Sequence, residues 1–190
     1  MPGLIKISWI NMNIELGGTM KILDVIQERK SIRRYKEDSL PEDVLHRILD
    51  SARLAPSGKN FQPWKFILVR DAKMKEKLAA VSRGQTFIAK APIIVVACGF
   101  PERSYQRQGN YMSSWVIDVS IAVEHLMLQA QEEGLGTCWI GAFEEKDVKK
   151  LLDIPSEVKV LALTPLGYPD EVPKDRGRKP LSEIVSYETF

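Results

Sequence analysis

The 190-residue chain is 44% hydrophobic, enough to bury a sizeable core, and its length falls in the range of one domain. Its 27 Lys+Arg against 25 Asp+Glu leave a formal net charge of +2, far from the one-signed excess of a nucleic-acid or anionic-membrane binder, so any anion site must be local. The two cysteines, Cys98 and Cys138, each sit in an apolar run and read as buried thiols, with neither a disulfide framework nor a metal cluster suggested.

Residues 1–19 alternate apolar and polar positions, with Lys6, Asn11, Asn13 and Glu15 interrupting any signal-peptide core, so the chain reads as cytoplasmic. Gly17, Gly18 and Thr19 precede a second methionine, Met20, where the first amphipathic pattern begins. Residues 1–19 are therefore expected to be a leader outside the fold, and 20–190 a single domain. Ile22, Val25 and Ile26 follow helical spacing over 20–29, and the segment runs into a basic knot, Arg29-Lys30-Ser31-Ile32-Arg33-Arg34-Tyr35. A second helix opens at Pro41, a favoured first-turn residue, and carries Val44, Leu45, Ile48, Leu49 and Ala52 on one face before Pro56-Ser57-Gly58 stops it.

Residues 64–69 read as a mostly buried strand, and Asp71 caps a short lysine-rich helix. The β-branched run at 92–98 has the pattern of a strand covered on both faces and should be central. The longest helix candidate, 114–133, presents a broad apolar stripe that includes Val119, Val123, Leu126 and Met127 and ends at Gly134 and Gly136. Such a stripe belongs in the centre of the fold or in a subunit interface. Residues 137–140 read as a short strand, 145–152 as a short helix and 158–166 as another apolar strand. After Tyr168 proline and charge dominate, and apolar character returns only at Leu181, Ile184 and Val185. That tail has too little local surface to fold alone and is expected to wrap onto something else.

Helices and strands mix without regular βαβ alternation, so the fold class is α+β. The longest apolar stretch, 91–100, holds a proline and a glycine and falls short of the ~18 residues needed to span a bilayer. No G-x-G-x-x-G follows a strand, the H-E-x-x-H and C-x-x-C spacings are absent, and His46 and His125 lie on predicted helices without a second ligand nearby. Neither a Rossmann dinucleotide site nor a metal site is supported.

Two segments could carry chemistry. In an extended backbone Arg29, Ser31 and Arg33 point the same way, so two guanidinium groups and a hydroxyl can meet one phosphate-like anion. The plainer alternative is a solvated basic patch that complements a helix dipole. The polar loop 54–64 mixes amide and hydroxyl groups with Phe61 and Trp64, as ligand-binding loops do, although a connecting turn also uses proline, serine, glycine and asparagine.

With Arg176-Gly177-Arg178-Lys179-Pro180 near the C-terminus, these segments form an R-x-S-x-R-x-[YF] knot, an A-P-S-x-x-N-x-Q-P-W loop and an R-x-R-x-P ending. In content, order and spacing they resemble the FMN-dependent nitroreductases, from Met20 to the C-terminus. The resemblance implies a central, mainly antiparallel mixed sheet flanked by helices, a homodimer, and a C-terminal tail wrapped onto the partner subunit. It further implies an enzyme that takes hydride from NADH or NADPH on FMN and passes it, in a ping-pong cycle, to nitroaromatic, quinone or other small electron-poor acceptors.

Position by position, the resemblance implies that Arg29, Ser31 and Arg33 hold the FMN phosphate and ribityl chain, with the Lys30 backbone among them. Pro56, Ser57 and Asn60 would reach the flavin from the opposite subunit, and Arg176 and Arg178 would return to the phosphate. Gln85 looks like the amide that reads the pyrimidine edge, though it also reads as a surface glutamine. Where some members carry a glutamate beside flavin N5, this chain has Ile140 and Gly141, so a contact there must come from backbone N–H. The stretch 99–112, with Tyr105, Arg107 and Tyr111, is the expected lid over a flat or anionic acceptor, although a solvated loop of that composition would be unremarkable. The reactive chemistry belongs to the flavin, and no side chain is expected to be catalytic. Relatives that share the fold perform reductive dehalogenation, flavin reduction or fragmentation, and dehydrogenation of peptide heterocycles. Those stand as alternatives, as does a non-enzymatic anion or nucleic-acid binder using the same arginines.

Overall fold

The computed structural model describes residues 21–190; the expected leader and Met20 lie outside the described residues. The β-branched run becomes a strand because both of its faces are covered: β2 (Ile93–Gly99) is buried at every position. On one side it pairs antiparallel with β1 (Trp64–Val69), from Trp64 opposite Gly99 to Val69 opposite Ile94. On the other side it pairs antiparallel with β4 (Lys159–Gly167), with a register slip between Ala97 and Cys98. The two-residue β3 (Gly136–Thr137) adds to β4 and completes the order β1-β2-β4-β3.

All named strands pair antiparallel, and among the described residues the parallel contact is the bridge between Ser31 and Thr137. The mixed character expected of the sheet therefore comes from the basic knot itself. The strand expected at 137–140 is shorter than its apolar pattern suggested. The backbone leaves the ladder at Cys138 and Trp139 and returns for a single bridge between Ile140 and Leu163.

Alternating β2 side chains divide the core into two layers. Ile93, Val95 and Ala97 meet α2 (Glu42–Arg53) and α4 (Trp115–Glu132) through Leu45, Ile48, Val119, Val123 and Leu126. Ile94, Val96 and Cys98 meet α3 (Ala72–Val81) and α5 (Glu145–Leu151) through Leu78 and Val148. Burial pushes the Cys98 thiol up to about 11, which suits a small apolar filler better than a nucleophile. Asp71 caps α3 as expected, accepting the Met74 N–H at 2.8 Å. Pro41 stands one place before α2 in extended backbone rather than inside its first turn, because its ψ of 139° is not helical.

The first helix, α1 (Ile22–Glu28), hands the chain to the knot at Arg29. From there the backbone runs along the sheet edge: Ile32 N–H donates to Thr137 O at 2.9 Å and Lys36 N–H to Tyr168 O at 3.0 Å. Two facing glycines allow this approach. A Cβ on Gly136 would lie 2.6 Å from Ile32 Cγ1, and one on Gly167 would lie 2.5 Å from Pro92 Cδ. Ile32 is β-branched and buried and has little freedom to yield. Gly136→Ala should therefore lower stability by about 1–3 kcal/mol through overpacking, read as a reduced midpoint in urea with an unchanged slope.

Candidate functional site

Across the knot Ile32 and Tyr35 are buried with Ala91, whereas Arg29 and Ser31 are half-buried and Arg33 is exposed. The Tyr35 hydroxyl donates to Ile32 O at 2.6 Å. Burial, with the Glu171 carboxylate adding to it, holds this phenol well above its ordinary range, so it stays a neutral donor. The Arg33 guanidinium turns back towards Ser31 O at 3.5 Å.

Cys138 lies buried next to Thr137, which bridges to Ser31. Burial raises its thiol pKa, and Arg33, Ser31 and Arg29 each pull it back. Lys30 pairs with Asp175 at 3.9 Å and Arg34 with Asp170 at 3.5 Å. Among the described residues no carboxylate lies within salt-bridge distance of the Arg29 or Arg33 side chain. Two guanidinium groups without counter-ions flank one hydroxyl, an arrangement that can receive a multiply charged anion.

The tail returns to this place. Asp175, tied to Lys30, accepts the Gly177 N–H at 2.9 Å, and that bond, then the Lys30 charge, holds its carboxyl below the usual range. Arg178 follows in the same turn, its guanidinium bonded to Gly177 O at 2.7 Å, and Arg176 stands exposed beside it. Glu171 is a carboxylate that sequence reading did not single out. It accepts the Arg33 N–H at 2.5 Å and so places a negative charge against the basic face.

A second group gathers around β3. The Gln85 amide nitrogen donates to Ser82 O at 3.0 Å and Ala142 O at 3.2 Å, which ties its turn to the stretch holding Ile140 and Gly141. Among the described residues only its amide oxygen has no partner. Ile140 N–H donates to Leu163 O at 2.9 Å and is not available to a ligand, whereas Gly141 is exposed and its N–H has no partner among the described residues. Of the two backbone donors expected here, Gly141 is the usable one.

Loop and lid meet elsewhere. Pro56 and Asn60 are exposed, Ser57 Oγ accepts the Gln62 N–H at 2.9 Å, and Lys59, Asn60 and Gln62 all adopt left-handed backbone. Gly58 N–H donates at 3.0 Å to Asp118, a carboxylate only 3% exposed near the start of α4. Among the described residues, no hydrogen bond or ion pair joins this loop to the knot. Beside it Lys59, Phe61, Glu102, Tyr105 and Arg107 line a 480 Å³ cavity, with Lys59 Nζ lying 5.4 Å from the Tyr105 ring centroid. Tyr111 does not line it and is 81% exposed. Phe61 was expected in the loop, whereas Lys59 and Asp118 were not singled out from the sequence. The signal for Asp118 was its place on the buried face of an otherwise apolar helix, where a carboxylate requires partners.

Among the described residues no group of His, Cys, Asp and Glu could hold a metal ion, and no helix is long and apolar enough to cross a membrane. The profile of the nitroreductase family matches residues 26–92 and 81–168. The chain is 32% identical over 182 residues to a Methanothermobacter thermautotrophicus protein named for NADH dehydrogenase and NAD(P)H nitroreductase activity, across 90% of this chain and 93% of that one. It is also 32% identical over 198 residues to the iodotyrosine deiodinase of Thermotoga neapolitana, across 90% and 100%. Among solved structures it is similar to a nitroreductase family protein of Clostridium difficile 630, with TM-score 0.82 and 31% identity over 90% of this chain and 100% of that one.

The charge arrangement around the knot makes two substitutions pull in opposite directions. With FMN as the phosphate-bearing probe, Arg33→Ala should weaken binding roughly ten- to a hundredfold by removing a charge-assisted bond. Glu171→Gln should strengthen it roughly two- to fivefold by removing a nearby negative charge. Flavin fluorescence titration of each variant measures both.

Proposed function

The chain belongs to the nitroreductase family, and on that premise we propose that it acts as a homodimer which reduces nitroaromatic, quinone or other small electron-poor acceptors, with donor and acceptor taking turns in one pocket. It is an NAD(P)H-dependent oxidoreductase with FMN as cofactor, so a purely anion- or nucleic-acid-binding role is set aside. The observation that carries the reading is the pair of guanidinium groups, Arg29 and Arg33, which among the described residues have no counter-ion and stand on either side of Ser31 in the chain.

A phosphate monoester fits this donor set, because its double negative charge answers two cations and a hydroxyl. We assign Arg29, Ser31 and Arg33 to the phosphate and ribityl chain, with Lys30 in support and Arg176 and Arg178 closing from the tail. Gln85 offers its amide oxygen to the ring edge, since its nitrogen is engaged, and Gly141 offers its N–H where Ile140 cannot. Pro56, Ser57 and Asn60 are read as serving the partner's flavin, because the loop that carries them is tethered through Gly58 to α4 and, among the described residues, has no bond to its own knot. When bound, FMN supplies the hydride chemistry, and the protein's task is to bind, orient and admit substrates in turn.

Apolar surface supports the dimer. Ile22, Leu23 and Ile26 on α1, Leu54 beyond α2, and Val116 and Ile117 on α4 are all exposed, as are Leu181, Ile184 and Val185 of the tail. A partner chain would cover such an area, with the tail lying across it, and residues 20–190 would act as one flavin-binding domain in the cytoplasm. At the acceptor cavity two cations, Lys59 and Arg107, outnumber Glu102 beside the aromatic Phe61 and Tyr105, which favours flat acceptors carrying negative charge. A second reading, reductive dehalogenation, is favoured by the likeness to the Thermotoga deiodinase. Halide release from an iodotyrosine under NAD(P)H would select it.

Steady-state plots with menadione as acceptor should give parallel double-reciprocal lines, whereas intersecting lines would show both substrates bound together. Arg107→Ala should reduce kcat/KM for p-nitrobenzoate more than for nitrobenzene, by roughly two- to fivefold in the ratio. Light scattering should return twice the chain mass, and a flavin-loaded monomer would refute the shared site.

A further inference from the structure

We infer that Asp118 is a positioning residue that locks the loop around Gly58 to the acceptor lid, so that the two move as one body. A carboxylate buried to 3% exposure without a cation in reach among the described residues must have its oxygens hydrogen-bonded. Asp118 Oδ1 accepts the Gly58 N–H at 3.0 Å, and Oδ2 accepts the Ser114 hydroxyl at 2.6 Å.

A carboxylate accepts and does not donate, so it dictates the direction of the Ser114 hydroxyl. With that proton committed, Ser114 Oγ is left as an acceptor and takes the Tyr105 N–H at 3.2 Å. Ser114 N–H completes the tie by donating to Tyr105 O at 2.8 Å. The relay Gly58, Asp118, Ser114, Tyr105 thus crosses from loop to lid through groups that are buried or half-buried.

Sterics reinforce the polar relay. A Cβ on Gly58 would lie 2.8 Å from Tyr105 Cβ and 3.1 Å from Ser114 Oγ, so the loop backbone already touches the lid. Lys59, Asn60 and Gln62 have φ of 50°, 58° and 50°, a left-handed backbone that non-glycine residues hold only when their surroundings enforce it. The tether from Gly58 N–H to Asp118 is one such enforcement. Its consequence for catalysis rests on the functional reading above: a loop beside the flavin and a lid over the acceptor that are joined in this way would make acceptor binding and flavin placement interdependent.

The test uses the FMN-loaded protein and backbone hydrogen exchange. Ser114→Ala removes the relay hydroxyl but leaves both partners of the Gly58–Asp118 bond in place. Gly58 and Tyr105 amides should lose protection together, by roughly ten- to a hundredfold, while those of β2 stay unchanged. Asp118→Asn should reproduce the paired loss, with FMN still bound and KM for menadione raised more than kcat is lowered. Loss at Tyr105 alone in Ser114→Ala, with Gly58 still protected, overturns the proposal. Paired loss in exchange with unchanged menadione kinetics upholds the coupling and overturns instead the assignment of this lid to the acceptor.

Discussion

Gly136 and Gly167 face each other where β3 meets β4, and the lack of a side chain on either lets Ile32, Tyr35 and Pro92 close over the sheet edge. The basic knot depends on that close approach. With its backbone held to Thr137 and Tyr168 and Ile32 and Tyr35 buried, Arg29 and Ser31 are left half-buried and Arg33 exposed. Rigid placement matters because an anion gains most from donors that need not be ordered when it arrives. The anion-receptive face is therefore a packing result before it is an electrostatic one.

Its electrostatics are only partly neutralised. Lys30 and Arg34 are paired with acids of the tail, whereas among the described residues Arg29 and Arg33 have no carboxylate in salt-bridge reach. The same tail delivers Asp170, Glu171 and Asp175 on one side and Arg176 and Arg178 on the other, so it can both shield and complete the site. Selective pairing of this kind leaves a local positive charge on a chain whose net charge is only +2.

The loop at 57–62 and the lid are organised by a different device, a buried carboxylate. Asp118 lies on the face of α4 that also carries Val119, Ala122 and Val123, so the helix that fills the core also tethers the loop that carries Gly58 beside the cavity. Ser114, at the start of the same helix, links that carboxylate to the Tyr105 backbone.

Most elements were legible in the sequence because their signals are local. The β-branched run at 92–98, the apolar stripe of α4 and the Asp71 cap each depend on residues a few places apart, and each stands where its pattern put it. Residue types in the knot, the loop and the tail were legible too, through their order and spacing. What each polar group does was not. Gly58 finds Asp118 at a separation of 60 residues, Gln85 finds Ala142 at 57, and Arg33 finds Glu171 at 138. Ile140 was an expected donor until its N–H met Leu163, and β3 shrank to two residues because Cys138 and Trp139 leave the ladder. Periodicity records which face of an element is apolar, a property of neighbours along the chain. Hydrogen-bond partners and counter-ions are settled only when distant segments close on one another, and so the sequence determined the elements and the residue types of the candidate site while the tertiary structure decided which of its donors stay unpaired among the described residues.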